Sequence, residues 1–166
     1  VDRVLMKPGK PLTVARVSSP ASRNGALLVV GLPGNPASAM ACFALVAAPA
    51  LRKLSGQPAA AQRMPRVQAA LATKVTLDPE RPEYHRASLT WSLERGEFVA
   101  ASTGRQISSR LPSFRGAAAL LELPRGTGTL EAGTIVSALL LGELGASIQS
   151  HATLPEVPKA ASLVSF

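Results

Sequence analysis

Residues 30–38 read VGLPGNPAS, and they join an apolar run to a long alanine-rich segment. The pattern predicts a buried strand from Ala26 to Val30, then a tight turn and a helix that begins at Pro36. Such a junction directs backbone N–H groups and the positive end of the helix dipole toward one point. We therefore expect an anion-binding site where the strand gives way to the helix.

A second loop of the same kind lies upstream, where residues 6–11 read MKPGKP. Its two lysines, Lys7 and Lys10, stand three residues apart around a Pro-Gly turn that restricts where the ammonium groups can point. Each lysine alone would most often be a solvated turn residue. Together with residues 30–38, the pair favours a shared anionic ligand.

The charge of the chain is concentrated in the same region. The 166 residues carry a formal net charge of +8, and residues 1–60 hold seven Lys or Arg side chains against Asp2 alone. A basic chain can bind nucleic acid, but one Trp, one Tyr and four Phe are few for base stacking, and no run of basic residues appears. A small anion is the better interpretation, and we expect no nucleic-acid partner.

Cysteine usage and hydropathy indicate a reducing, cytoplasmic setting. The single Cys42 excludes an internal disulfide and, within an apolar helical stretch, is expected to be a buried, inert thiol. No apolar run reaches the length of a membrane span, and the first residues do not follow signal-peptide order. No acidic cluster with metal-ligand spacing is present, so we expect no metal site in this stretch.

The order of the patterns predicts two structural units. We expect an incomplete α/β unit over residues 1–56, a linker over 57–65, a small all-β domain over 66–144 and a flexible tail or linker over 145–166. The first unit cannot cover both faces of a sheet, so it needs partner structure upstream.

Within these units the periodicity predicts particular elements. The helix should run from Pro36 to Leu54, with either a kink or a break at Pro49. Besides Ala26 to Val30, the first unit should contain strands from Val4 to Met6 and from Leu12 to Val17. Five strands predict a barrel or a sandwich in the second unit: 67–76, 84–93, 98–102, 118–123 and 135–141.

Several motifs, in order, resemble one known family. Residues 6–11 (MKPGKP), 31–38 (GLPGNPAS) and 51–56 (LRKLSG) resemble the molybdopterin molybdenumtransferases, which include bacterial MoeA, the E domain of gephyrin and the plant molybdenum insertase. The second half adds motifs that look most like those of the eukaryotic members: 77–86 (LDPERPEYHR), 102–106 (STGRQ), 108–111 (SSRL) and 121–124 (LELP). The resemblance covers roughly residues 1 to 144.

The resemblance implies a fold and an activity. The fold would be the C-terminal part of a MoaB/MogA-like α/β domain followed by a small β-barrel or β-sandwich domain. The activity would be molybdenum cofactor biosynthesis, in which molybdate is inserted into adenylylated molybdopterin with release of AMP. Mg²⁺ would assist, with its ligands upstream of this chain, so the fragment is expected to be inactive alone. The family also implies a homodimer and a possible fused or partner molybdopterin adenylyltransferase domain.

The resemblance also implies site residues. Lys7 and Lys10 would be the catalytic lysines near molybdate and phosphate. The other expected substrate-binding residues come from both units: Arg3, Pro11, Pro33, Gly34, Asn35, Pro36 and Ser38 from the first, and Arg86, Arg110 and Ser113 from the second. Arg3 stands where relatives commonly carry lysine, which keeps the charge but changes its geometry.

Simpler interpretations remain open for several residues. The alternative function is a non-catalytic, gephyrin-like scaffold that binds a peptide near Tyr84 and Pro124. His85 is better interpreted as a hydrogen-bonded structural residue than as a base, and Trp91 as a packing residue. Four arginines could simply be exposed charges of the β-domain: Arg81, Arg86, Arg110 and Arg115.

Overall fold

The computed structural model describes residues 3–22 and 25–142. The predicted tail, residues 145–166, lies outside this part. The boundaries proposed between the units stay predictions, although residues 57–65, expected to be a linker, include a one-turn helix at Ala59–Gln62.

A two-stranded antiparallel sheet begins the described chain. Strand β1 (Thr13–Ser18) pairs with strand β2 (Ala26–Gly31) over all six residues. Both strands lie within a residue of their predicted bounds. The expected burial of β2 is wrong, because Leu27, Leu28 and Val29 are each about half exposed. Val30, the last apolar residue of the predicted strand, does pack against the cluster of Met6, Leu12 and Cys42.

The predicted long helix is confirmed, and its irregularity falls just before Pro49. It consists of α1 (Pro36–Cys42), a π-helical turn (Phe43–Ala47) and α2 (Ala48–Leu54), and the one-turn helix at 59–62 is α3. In the π turn, the N–H of Ala48 donates to the carbonyl of Phe43, five residues back. Proline has no N–H to donate and crowds the preceding turn, which accounts for a widened turn at this point.

A closed five-stranded barrel forms the second unit. A barrel was one of the two architectures that the sequence predicted. Its strands join in the order β3-β6-β5-β7-β9, and all neighbours are antiparallel except β3 and β6. The elements of this unit are β3 (Arg66–Leu71), β4 (Val75–Thr76), β5 (Glu83–Ser92), β6 (Glu97–Ser102), a 3₁₀ turn (Leu111–Phe114), β7 (Ala119–Leu123), β8 (Thr129–Leu130) and β9 (Ile135–Leu140).

Alternate residues of the barrel strands form its core. Leu89, Leu121 and Leu140 are almost completely buried, and alanines such as Ala87 and Ala138 fill the narrow interior between them. Trp91 packs its ring edge-to-face against Phe98, with centroids 4.8 Å apart, as expected for a packing residue. This core fixes the strand ends that carry the site.

Two predicted strands differ from the structure. Residues Val4 to Met6 form no strand, because the loop bonds to itself: the N–H of Val4 donates to the carbonyl of Lys10. The single strand predicted over 67–76 divides into two: β3 belongs to the barrel, whereas β4 pairs with β8 in a separate two-stranded sheet.

One further feature was not expected from the sequence. Among the described residues, the helical segment Pro36–Leu54 is long and apolar enough, by length and composition alone, to cross a membrane. Buried helices of ordinary folds meet the same criteria, so this is weak support for a membrane span. Ala37, Ala41 and Cys42 of this helix are completely buried against other parts of the chain.

Candidate anion-binding cleft

A cleft of about 500 Å³ lies where the two units meet. The loop of residues 7–11 forms one wall, and the loop of residues 105–108, which follows β6, faces it. The start of α1 and the segment before β5 complete the lining with Asn35, Ser38 and Arg81. The structure thus brings five of the sequence-predicted site residues together: Lys7, Lys10, Pro11, Asn35 and Ser38.

Gly9 allows the lysine loop to lie directly on the helix. Its φ of 129° belongs to the region that favours glycine, and an added Cβ would lie 2.7 Å from both Cys42 Sγ and Met6 Cε. Cys42 is fully buried at this contact, and burial raises the pKa of its thiol to about 11. The expected burial of Cys42 is therefore confirmed, and its inertness stays a prediction.

Lys7 is an ion-pair partner of the β-domain. Its Nζ lies 2.8 Å from Glu83 Oε2 and 3.2 Å from Asp78 Oδ2. Partial burial alone would lower the pKa of Lys7, but the bonds and charges of Glu83 and Asp78 outweigh it and raise that pKa. Backbone bonds reinforce the junction, since the N–H of Tyr84 donates to the carbonyl of Lys7 at 2.7 Å. The charge of Lys7 is thus largely compensated within the protein.

Lys10 and Arg105 provide the uncompensated positive charge. Both residues line the cleft, one from the loop of residues 7–11 and the other from the loop of residues 105–108. Within residues 3–22 and 25–142, no carboxylate lies within ion-pair distance of either one. These two cations are therefore free to bind an anion.

The start of α1 is bonded to the opposite loop. The backbone N–H of Ser38 donates to the carbonyl of Ser108 at 3.2 Å, and Asn35 Nδ2 donates to Ser108 Oγ at 3.0 Å. The backbone N–H of Ser38 therefore already donates to a protein carbonyl and is not available to a ligand. Pro33 is buried, whereas Gly34 and Pro36 are exposed outside the lining.

Arg86 lies behind the cleft wall. It is completely buried, its Nε donates to Ser113 Oγ at 3.1 Å, and its Nη2 donates to the carbonyl of Ile107 at 3.3 Å. Burial lowers the pKa of Arg86, although the charge of Glu83 acts to raise it. The interpretation of Arg86 as an exposed charge is wrong: it supports the loop from within.

The remaining predicted site residues do not line the cleft. Ser113 is fully buried beside Arg86, whereas Arg110 and Arg3 are exposed elsewhere. Arg3 adopts a φ of 60°, which is uncommon for a residue with a side chain. Of the arginines considered as exposed charges, Arg110 and Arg115 are exposed.

Comparisons with known proteins agree with this arrangement. Residues 68–141 match the family model described as the MoeA C-terminal region (domain IV), and residues 1–53 match the one described as a probable molybdopterin binding domain. The chain belongs to the MoeA and gephyrin family of molybdenum cofactor biosynthesis proteins. Its fold is accordingly a molybdopterin-binding-type portion followed by the small MoeA-type barrel.

Particular relatives illustrate the family match. The chain is 42% identical to gephyrin of Dictyostelium discoideum, over 86% of its own length and 22% of that protein. It is also 42% identical to the molybdenum cofactor synthesis protein cinnamon of Drosophila melanogaster, over 75% of its own length and 19% of that protein. A crystal structure of a MoeA protein from Pyrococcus horikoshii superposes with a TM-score of 0.61 at 25% identity, covering 87% of this chain and 32% of that one. The chain thus spans about a fifth of these curated relatives.

Sequence reasoning missed two residues of the cleft lining and the two carboxylates that pair with Lys7. Asp78 and Glu83, which pair with Lys7, and Arg105 and Gln106, which form the facing loop, all stand inside the quoted motifs LDPERPEYHR and STGRQ. Three of these four residues are charged. The basic loop at residues 6–11 and the three carboxylates of the motif at 77–86 have opposite charges, and this complementarity could have predicted an ion-paired junction.

The described residues do not fit a magnesium site. They contain no group of three or more His, Cys, Asp or Glu side chains able to hold a metal ion. Asp78 and Glu83 are both paired with Lys7, which lines the cleft. The expectation that Mg²⁺ ligands lie upstream stays a prediction.

Proposed function

We propose that this chain supplies the molybdate-binding part of a molybdopterin molybdenumtransferase site. The observation that carries the proposal is the pair of cations that line the cleft, Lys10 and Arg105, neither of which has a carboxylate within ion-pair distance among the described residues. Molybdate is a doubly charged oxyanion, and two cations that no carboxylate compensates match its charge.

In this proposal the cationic residues of the cleft have different roles. Lys10 and Arg105 bind the anion, whereas Lys7, committed to Glu83 and Asp78, holds the two walls in register. Positive charge at this position also stabilises negative charge that develops as a phosphoanhydride breaks. Adenylylated molybdopterin, Mg²⁺, the second subunit of a homodimer and a fused or partner adenylyltransferase domain involve other parts of the protein. We therefore expect this piece to be inactive alone, and we place the protein in the cytoplasm.

Titration of molybdate into the chain by calorimetry tests the proposal. We expect saturable binding that Lys10→Ala and Arg105→Ala each weaken about tenfold, a typical effect of one charge-assisted bond. Lys74→Ala, at an exposed position outside the cleft lining, is the matched control and should bind as the wild type does. Equal losses in all three variants, or sulfate binding as tightly as molybdate, would contradict a molybdate site.

A second candidate function is the binding of an apolar peptide segment. A groove of about 1,030 Å³ lies between the helix and one end of the barrel, lined by side chains such as Met40, Phe43 and Phe114. Tyr84 and Pro124, where the resemblance placed peptide binding, are not part of this lining. Binding of an extended apolar peptide that Phe43→Ser abolishes and Lys10→Ala leaves intact would favour this function.

A further inference from the structure

The groove between the helix and the barrel is lined mainly by apolar side chains. Met40 and Phe43 contribute from the helix, and both are nearly half exposed. Met64, Phe114 and Leu140 contribute from outside the helix. Apolar side chains that share one concave surface favour the binding of another apolar segment, because binding removes them from water.

Two arginines give this groove a positive charge. Arg52, near the end of α2, and Arg63, shortly before β3, both belong to its lining. Over residues 3–22 and 25–142, neither arginine has a carboxylate within ion-pair distance. The occupant that suits the groove is therefore an apolar segment that carries a negative charge.

The chain itself leads out of the groove. Leu140, Leu141 and Gly142 line it, and Gly142 is the last residue that the structure describes. Twenty-four further residues follow in the sequence, from Glu143 to Phe166. This segment is tethered at the groove, and a short tether gives it an effective concentration of about a millimolar. Weak contacts are then sufficient for docking.

One stretch of the tethered segment has the required chemistry, since residues 154–158 read LPEVP. Leu154 and Val157 supply apolar side chains, and Glu156 supplies a negative charge between them. The two prolines favour extended conformations in the unbound segment, so less conformational entropy is lost when it binds.

We propose that residues 154–158 dock in the groove of the same chain, with Glu156 beside Arg52 and Arg63. The inference goes beyond the anion cleft and does not depend on molybdate binding there. The tether is long enough, because the eleven residues 143–153 span up to about 36 Å when extended, whereas the 19-residue segment Pro36–Leu54 is about 28 Å long. A separate peptide then has to displace these residues before it binds the groove.

Methyl NMR of the methionines in the whole chain tests this inference, because two of the three methionines line the groove. Met40 and Met64 report on the groove. Met6 is outside its lining, buried in the cluster that includes Cys42, and serves as the internal reference.

A double variant, Leu154→Ser with Val157→Ser, removes the apolar side chains of the docking stretch. We expect it to shift the methyl signals of the two groove methionines and to leave that of Met6 in place. The matched control, Leu163→Ser with Val164→Ser, makes the same change elsewhere in the tethered segment and should leave all three signals at their wild-type positions.

Glu156→Lys tests the charge separately from the apolar contacts. It should lower the ratio of docked to undocked chains about threefold or more, the effect of losing one exposed ion pair. The signals of Met40 and Met64 should then move part of the way toward their positions in the double variant.

Three outcomes would overturn the inference. The first is that the signals of Met40 and Met64 are unchanged in the double variant, or shift as much in the matched control. The second is that the effect disappears on dilution, because docking within one chain is independent of concentration whereas binding of a second copy is not. The third is that a separate apolar peptide shifts both signals although the double variant does not, which would leave the second candidate function standing.

Discussion

Lys7 and Lys10, three residues apart, have different roles because only one of them contacts carboxylates. Lys7 is paired with Glu83 and Asp78, and Lys10 has no carboxylate within ion-pair distance in the described part of the chain. The motif MKPGKP predicted a pair of equivalent lysines. The motif gives the spacing of the two lysines along the chain. Which of them is charge-compensated depends on the fold, because the fold brings Glu83, distant in sequence, to Lys7.

We expect Lys7→Met to destabilise the fold and Lys10→Met to leave it nearly unchanged. Without Lys7, the buried carboxylate of Glu83 keeps only its bond to His85, which should cost about 1–2 kcal/mol of unfolding free energy. Urea unfolding of the two variants measures the difference. Equal stabilities would show that the ion pairs of Lys7 contribute nothing.

The pH dependence of stability should reflect Glu83. Burial alone would raise the pKa of Glu83, but hydrogen bonds from His85 and Lys7 hold that pKa below its ordinary value of 4.5. The ionised form therefore stabilises the fold above this value, and the contribution is lost as pH falls through the folded-state pKa.

Unfolding free energies measured from about pH 6 down to about pH 2 check this expectation. Glu83→Gln should make the decline with acid shallower than in the wild type. Glu94→Gln, at an exposed position, is the matched control and should follow the wild-type curve. A decline that is the same in all three proteins would place the acid-sensitive groups elsewhere.

At the scale of elements, the lysine loop depends on its contact with α1. Gly9→Ala should destabilise the protein by about 1–3 kcal/mol, because the new methyl group would meet Cys42 Sγ and Met6 Cε and the backbone φ suits glycine. Gly34→Ala is the control: nothing lies within 4 Å of its added Cβ. Thermal unfolding separates the two variants, and a Gly9→Ala protein as stable as Gly34→Ala would contradict the close contact.

Periodicity predicted most elements of the fold, and long-range pairing explains the misses. Alternation over 84–93 and the alanine-rich run from Pro36 lie within a residue of the observed strand and helix. The break between β3 and β4 was missed because β4 pairs with β8, a segment distant in sequence, rather than continuing in the barrel. Arg86 was misjudged as possibly exposed for the same reason, since its burial requires the 3₁₀ turn at 111–114.

At the scale of the whole molecule, apolar side chains remain exposed on both faces of β2. Leu27 and Val29 point to one face and Leu28 to the other, all three are about half exposed, and exposed apolar side chains promote association in water. We expect the chain to self-associate in solution and Leu28→Lys to shift it toward the monomer. Sedimentation equilibrium measures this, with Leu54→Lys, an exposed leucine of α2, as the control.

The contrary result would be a chain that stays monomeric at every concentration, or a Leu54→Lys variant that changes association as much as Leu28→Lys. The sequence predicted that residues 1–56 need further structure, because one helix cannot cover a sheet on both faces. The sequence could not indicate which side chains of residues 26–30 stay exposed, since an apolar run of this kind is typical of buried and uncovered strands alike.

The bonds from Ser38 and Asn35 to Ser108 have a consequence for selectivity. They tie the helix start directly to the opposite loop, so the cleft cannot widen without breaking both. Sulfate and molybdate carry the same charge and differ mainly in radius. If the cleft binds molybdate as proposed, an opening of fixed width would distinguish the two anions by size, and the bonds from Ser38 and Asn35 would set that width.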